Sequence, residues 1–271
     1  MTCATLSVLV STYNARLLML DSVLLEENPL IHYIIVHQHT DGVDYSNYVS
    51  KLNSTRSDVT YIQSFSKGVT KSRNIALSKV ESEYGLFMDD DVELPMDLFS
   101  TIIESFKVRP ECSVLTFQAA EIGNVQLLKD YSEKQAIHNR LSILKVGTIE
   151  VAFRVSDVRA SDVKFPEYLG AGTNLPACDE PVFLARLMSK GLKIGYMPLI
   201  IAHHPKLSSG KVFEDESSLV CRGVAFRDIF GNMAAIPMLF LFYLKNRKKF
   251  KLRNRSAFLS LYKGYLKTNF N

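Results

Sequence analysis

The chain has 271 residues, 47% of them hydrophobic and 22% charged, a balance that supports a large packed core and excludes wholesale disorder. Its net charge of +4 conceals an asymmetry. Nine basic residues and no acid follow residue 244, which leaves the first 244 residues at a net −5 and suggests an anionic surface partner for the tail alone. The four cysteines (Cys3, Cys112, Cys178, Cys221) lie far apart, without metal-site or disulfide-framework spacing. The N-terminal apolar run has no basic segment before it and is too short for a secretory signal, so the body is expected in the cytosol.

In chain order, residues 6–11 (LSVLVS) form a short apolar, β-branched run that ends at Thr12, Tyr13 and Asn14. A second run, 31–37, ends at Gln38 to Gly42, and a third, 59–63, ends before Ser66, Lys67 and Gly68. A fourth, 84–88, runs directly into Asp89, Asp90 and Asp91. Helical spacing occurs at 15–27, 44–53 and 69–80, between the runs. Apolar strands alternating with helices indicate a mostly parallel sheet covered on both faces. Ligands bind such sheets at the carboxyl ends of the strands, and all four runs end in polar clusters.

The middle is less regular. Residues 97–107 read as a helix, 114–119 as a strand, and 130–145 as a helix or polar loop. GAGTNLP (170–176) is a Gly/Pro loop, followed by a helix over about 179–190 with Gly191 as its C-cap. Residues 192–204 read as a strand pair or bent strand ending in His203 and His204. Residues 219–244 are apolar with helical spacing, interrupted by Gly231 and Pro237.

Three successive carboxylates at a strand end repel one another by roughly 1 kcal/mol per close pair even in water, a cost that a divalent cation removes. On an extended chain Asp89 and Asp91 point the same way and Asp90 does not. Hard cations with oxygen ligands, Mg²⁺ or Mn²⁺, also bridge diphosphates. An acidic loop facing solvent is the alternative reading. Gly68 permits close approach of backbone to a ligand, and the helix N-terminus after it, with Arg73, favours phosphate. Arg73 could equally pair with the acidic triplet.

In order and spacing these elements resemble the family 2 glycosyltransferases of the GT-A fold, especially those that build bacterial surface polysaccharides. The resemblance runs over about residues 6–230. It is carried by the strand with Ser11 to Asn14, Gln38 to Gly42, Gly68 to Asn74, Phe87 to Asp91, Gly170 to Thr173, the acid pair Asp179 and Glu180, and His203 to Pro205. It implies an α/β GT-A domain at 1–230, with a mostly parallel central sheet and helices on both faces; the pattern of the remaining residues adds a C-terminal amphipathic helical extension at 231–271. The resemblance further implies transfer of a sugar, with inversion, from a nucleotide-sugar donor such as a UDP-sugar to a hydroxyl of a lipid-linked glycan.

On this resemblance Thr12, Tyr13, Asn14, Gln38 and Asp41 would line the nucleoside pocket. Lys67, Gly68, Ser72, Arg73, Asn74, Asp89 and Asp90 would contact the donor, and Asp89, Asp91 and His204 would hold Mn²⁺ or Mg²⁺. The family usually shows Gly-Glu-Asp where this chain has Cys178, Asp179 and Glu180. Glu180 falls at the general-base position, with Asp179 as the alternative base or as a helix cap. Lys206 and Lys211, flanking Ser208 to Gly210, would form a lid. Two other readings stay open. A nucleotidyltransferase usually carries a glycine-rich loop after the first strand, which STYNARLL lacks; a non-enzymatic scaffold would explain the inverted acid pair.

Residues 233–244 are apolar but too short to span a bilayer, and KNRKKFKLRNR follows at once. That pattern suits attachment to the anionic inner face of the cell membrane, with a solvated basic face on a core helix as the alternative. No nucleic-acid module or aromatic platform accompanies the charge, so nucleic acid is not an expected partner.

Overall fold

In the computed structural model, which describes residues 5–124, 126–205, 215–250 and 254–268, the four N-terminal apolar runs are parallel strands. They are β1 (Leu6–Tyr13), β2 (Ile31–Gln38), β3 (Val59–Ser64) and β4 (Tyr84–Asp89). A 3-10 helix over Asn14–Ser22, α1 (Ser46–Thr55) and α2 (Val69–Lys79) make the crossovers. Parallel pairing requires such crossovers, which cover both faces and leave strands apolar on both sides. Side chains alternate accordingly. Leu6, Val8 and Val10 pack with Leu98, Ile102 and Phe106 of α3 (Leu98–Val108), whereas Leu9 packs in the opposite layer, which also contains Ala76 of α2.

Strands β5 (Val114–Glu121), β6 (Ala136–Ile137), β7 (Val151–Arg154) and β8 (Ile194–His204) complete an eight-stranded sheet in the order β3-β2-β1-β4-β7-β5-β8-β6. The short β7 is antiparallel to both β4 and β5, so β5 and its parallel partner β8 run in the same direction as β4. The carboxyl ends of β1, β2, β4 and β8 therefore share one rim. Two further helices, α4 (Val155–Ser161) and α5 (Asp179–Ser189), flank the sheet on the α2 side, where Val158 and Leu184 join the same core layer as Phe87.

Several expectations change. The helix foreseen over 15–27 is the shorter 3-10 helix, which buries only Leu17 and Leu20. Residues 130–145 lack a recurring apolar face and form turns, the two-residue β6 and a 3-10 helix over Ser142–Lys145. Neither β7 nor α4 was foreseen; β7 is four residues long and owes its place to its neighbours rather than to a pattern of its own. Residues 194–204 are one strand, with register shifts against β5 between Thr116 and Ala119. Gly191 has the expected positive φ, +86°, just past α5.

Helix α6 (Glu216–Asn246) breaks at Gly231, whose φ of 76° and ψ of 171° no helix accommodates, and α7 (Asn254–Leu266) packs back on it. Among the described residues α6 is the one helix whose length and composition would allow a membrane span. The break divides it into arms of roughly 15 residues, about 22 Å each, short of the roughly 30 Å hydrocarbon core. The arm after the break exposes Met233, Ile236, Phe240, Leu241 and Leu244. The lid expected between Lys206 and Lys211 lies outside the described residues, as do Lys251, Leu252 and Arg253 of the basic tail.

Candidate active site

The rim opens into a cavity of about 1140 Å³, larger than the roughly 300–1,000 Å³ typical of a single small-ligand pocket. Its floor is the end of β4. Asp90 is buried and accepts from Nε of Arg16 at 2.8 Å. Asp91 pairs with Nη2 of the same arginine at 2.8 Å and lies 3.4 Å from Nε2 of His204. His204, and then Arg16, hold the Asp91 carboxyl down to about 2, and the same contact raises the His204 imidazole. Arg16 was missed in the sequence; it stands in a 3-10 turn with no motif around it.

Arg73, only 4% exposed, is the hub of the opposite side. Its Nη1 donates to Oδ2 of Asp179 at 2.5 Å and to Oε1 of Glu180 at 3.5 Å, while Nη2 reaches Oδ1 of Asp89 at 3.3 Å. One guanidinium thus ties the strand-tip acid to the acid pair that opens α5. Packing forces this arrangement, because a buried cation requires paired acids. Burial, and then neighbouring Glu180, push the Asp179 carboxyl up to about 7 against the pull of Arg73. Glu180 has the more accessible side chain, 19% exposed against 4% for Asp179. Thr148 donates its hydroxyl to Glu180. Cys178, just before the pair, adopts a left-handed backbone (φ 70°) that favours glycine.

Of the remaining expected donor contacts, Thr12, Tyr13, Gln38, Lys67 and Gly68 line the cavity. Thr12 Oγ1 is buried without a hydrogen-bond partner, an acceptor and donor available to a ligand. The loop at Gly172 (φ +85°) lies so close to Gly68 that a Cβ there would sit 3.1 Å from its backbone, and Val69 N donates to Ala171 O at 2.9 Å. This contact clasps the Lys67–Gly68 turn over the cavity.

The other four expected contacts make bonds within the fold. Ser72 is fully buried and donates to Ser11 Oγ. Asn74 bonds to the backbone of Phe165 and to Glu167. Asn14 accepts from Thr40 N, and Asp41 accepts from Tyr45 Oη and Val43 N. None of the four lines the cavity.

The expected metal ligands gather only in part. Among the described residues no three His, Cys, Asp or Glu side chains form a metal-holding group. Asp89 is turned toward Arg73, which separates it from the other two. The remaining pair does fit a divalent cation: Asp91 Oδ1 is buried with no hydrogen-bond partner, and it faces the His204 imidazole. One carboxylate and one imidazole suffice where diphosphate oxygens and water complete the shell.

The same architecture occurs in S. aureus TarS, to which the chain is similar with a TM-score of 0.63 and 16% identity over 92% of its own length. The chain spans 44% of that protein's chain. Structures of TarS 1–349 with UDP and with UDP-GlcNAc each give a TM-score of 0.62 at 16% identity, covering 91% and 96% of this chain and 72% and 71% of theirs. At this identity the likeness is one of fold, the GT-A fold. No curated protein matches the chain in sequence. The profile described as Glycosyl transferase family 2 matches residues 7–165, which contain the strand-tip aspartates and Arg73 and stop before the acid pair and His204. That match covers more than half of the sequence, and the chain belongs to glycosyl transferase family 2.

Proposed function

We propose that this glycosyltransferase moves a sugar, with inversion, from a UDP-sugar to a hydroxyl of a lipid-linked glycan during surface polysaccharide synthesis. The observation that carries the reading is that the strand-tip aspartates and the acid pair line one cavity, Asp89 and the acid pair meeting at Arg73. TarS, of the same fold, binds UDP and UDP-GlcNAc, which supports the choice of nucleotide.

In this reading Thr12, Tyr13, Gln38 and the Lys67–Gly68 turn hold the nucleoside and diphosphate. Asp91 and His204 would hold Mn²⁺ or Mg²⁺, which when bound would neutralise charge on a departing diphosphate. Arg73 keeps Asp179 and Asp89 in place; Asp179, locked against it, orients the start of α5. Glu180 takes the proton from the acceptor hydroxyl, because accessibility to the acceptor is the first requirement of a general base. The acceptor reaches Glu180 from the part of the cavity lined by Lys145 and Phe226.

The helices after Gly231 attach the enzyme to the cytoplasmic face of the membrane. Exposed Met233, Phe240 and Leu241 lie close in sequence to Lys245, Arg247, Lys248 and Lys249, an apolar and cationic combination suited to anionic lipid.

The test is Glu180→Gln. Turnover of a UDP-sugar is expected to fall by about 10²–10⁴-fold, the range for loss of a general base, with UDP affinity unchanged. Turnover at the wild-type rate would remove Glu180 from the mechanism.

A further inference from the structure

Beside the aspartates, where the chain enters β7, the cavity wall is a single turn of 3-10 helix, Thr148–Glu150, entered through Gly147. Thr148 is 4% exposed, and its Oγ1 donates to Oε1 of Glu180. The longer Arg73 contact, 3.5 Å, falls on the same oxygen. Both restraints grip one side of the carboxylate and leave Oε2 to meet an acceptor.

The turn is itself fixed from behind. Glu150, 3% exposed, accepts from Lys129 Nζ and from Tyr131 Oη at 2.9 Å through Oε1, and from Gly147 N at 3.3 Å through Oε2. Lys129 Nζ also donates to the carbonyl of Lys145 at 2.7 Å. A buried carboxylate with this many donors forms a rigid network, and the network spans the turn at both ends. Its members come from the stretch 129–150, where the regular structure is limited to the two-residue β6 and short 3-10 turns.

We propose that Thr148 is a positioning residue for the general base, its hydroxyl fixing the Glu180 carboxylate toward the acceptor while the Glu150–Lys129–Tyr131 network holds the turn. The proposal rests on Glu180 being the base. A glutamate side chain has several rotamers of similar energy, and ordering one before substrate arrives removes that spread from the reacting complex. Thr148 takes no part in bond making; the proton passes from the acceptor hydroxyl to Glu180.

The experiment compares Thr148→Val, which keeps shape and loses the hydroxyl, with Thr148→Ser, which keeps it. Each protein is crystallised with UDP and assayed for turnover of the best-binding UDP-sugar, with UDP affinity measured by calorimetry. The valine variant is expected to show Glu180 in a different rotamer and a kcat lower by about 10–100-fold, as for a roughly 1 Å misplacement, with UDP affinity retained. The serine variant is expected to restore the rotamer and most of kcat. An unmoved Glu180 in the valine variant, or a serine variant as slow as the valine one, overturns the clamp. A displaced Glu180 with unchanged kcat instead overturns the assignment of Glu180 as base.

Discussion

Residues 5–108 and residues 122–180 build two walls of one cavity by different means. The first wall is made by regular elements: three parallel strands end at Tyr13, Gln38 and Asp89, and each polar tip follows from the direction of its strand. The second is made by turns pinned through side chains, such as Glu150 to Lys129 and Thr148 to Glu180. Strand-borne groups are placed by a backbone that extends through the core, whereas turn-borne groups depend on a few buried polar bonds. Damage to one of those bonds should therefore be local in structure and large in chemistry. Arg73 is where the two walls join.

The largest structural effect is expected at that junction. Arg73→Met leaves the buried Asp179 carboxylate without its cation, and breaking such a pair costs about 3–5 kcal/mol. Denaturant unfolding would measure it; a loss below about 1 kcal/mol would mean that the walls stand independently. A smaller effect is expected where α6 and α7 cross. A Cβ on Gly264 would lie 2.0 Å from Val220 O, a backbone atom that cannot move aside. Gly264→Ala should open the helix pair at a cost of about 1–3 kcal/mol and release the protein from anionic vesicles in a sedimentation assay, with UDP affinity intact. Unchanged sedimentation would detach membrane binding from the hairpin.

The same contrast explains what the sequence disclosed. Apolar runs ending in Thr12, Gln38 and Asp89 were legible because a parallel strand buried on both faces leaves a continuous pattern. The helix beginning at Asp179 was legible from its acids, Pro181 and the glycine that closes it. Arg16 was not, because an arginine in a 3-10 turn differs in no way from a surface residue until Asp90 is seen beside it. Thr148 and Glu150 were hidden for a related reason: hydrogen bonds between residues 21 and 32 apart leave no period. Ser72 and Asn74 show the reverse, a motif legible in the sequence whose side chains lie off the cavity. They sit in a phosphate-type motif at a helix start, yet their side chains hold Ser11 and Phe165 in the core.

The central claim is that a sugar nucleotide lies over the Asp91–His204 pair, across from Glu180. Calorimetric titration of UDP, with and without Mn²⁺, into the wild type, Asp91→Ala and Glu180→Gln tests it most directly. Mn²⁺ should tighten UDP binding at least about tenfold in the wild type and in Glu180→Gln, a shift of 1.4 kcal/mol or more, and should do nothing in Asp91→Ala. Equal, ion-independent affinity in all three proteins, or no UDP binding by the wild type, would contradict it.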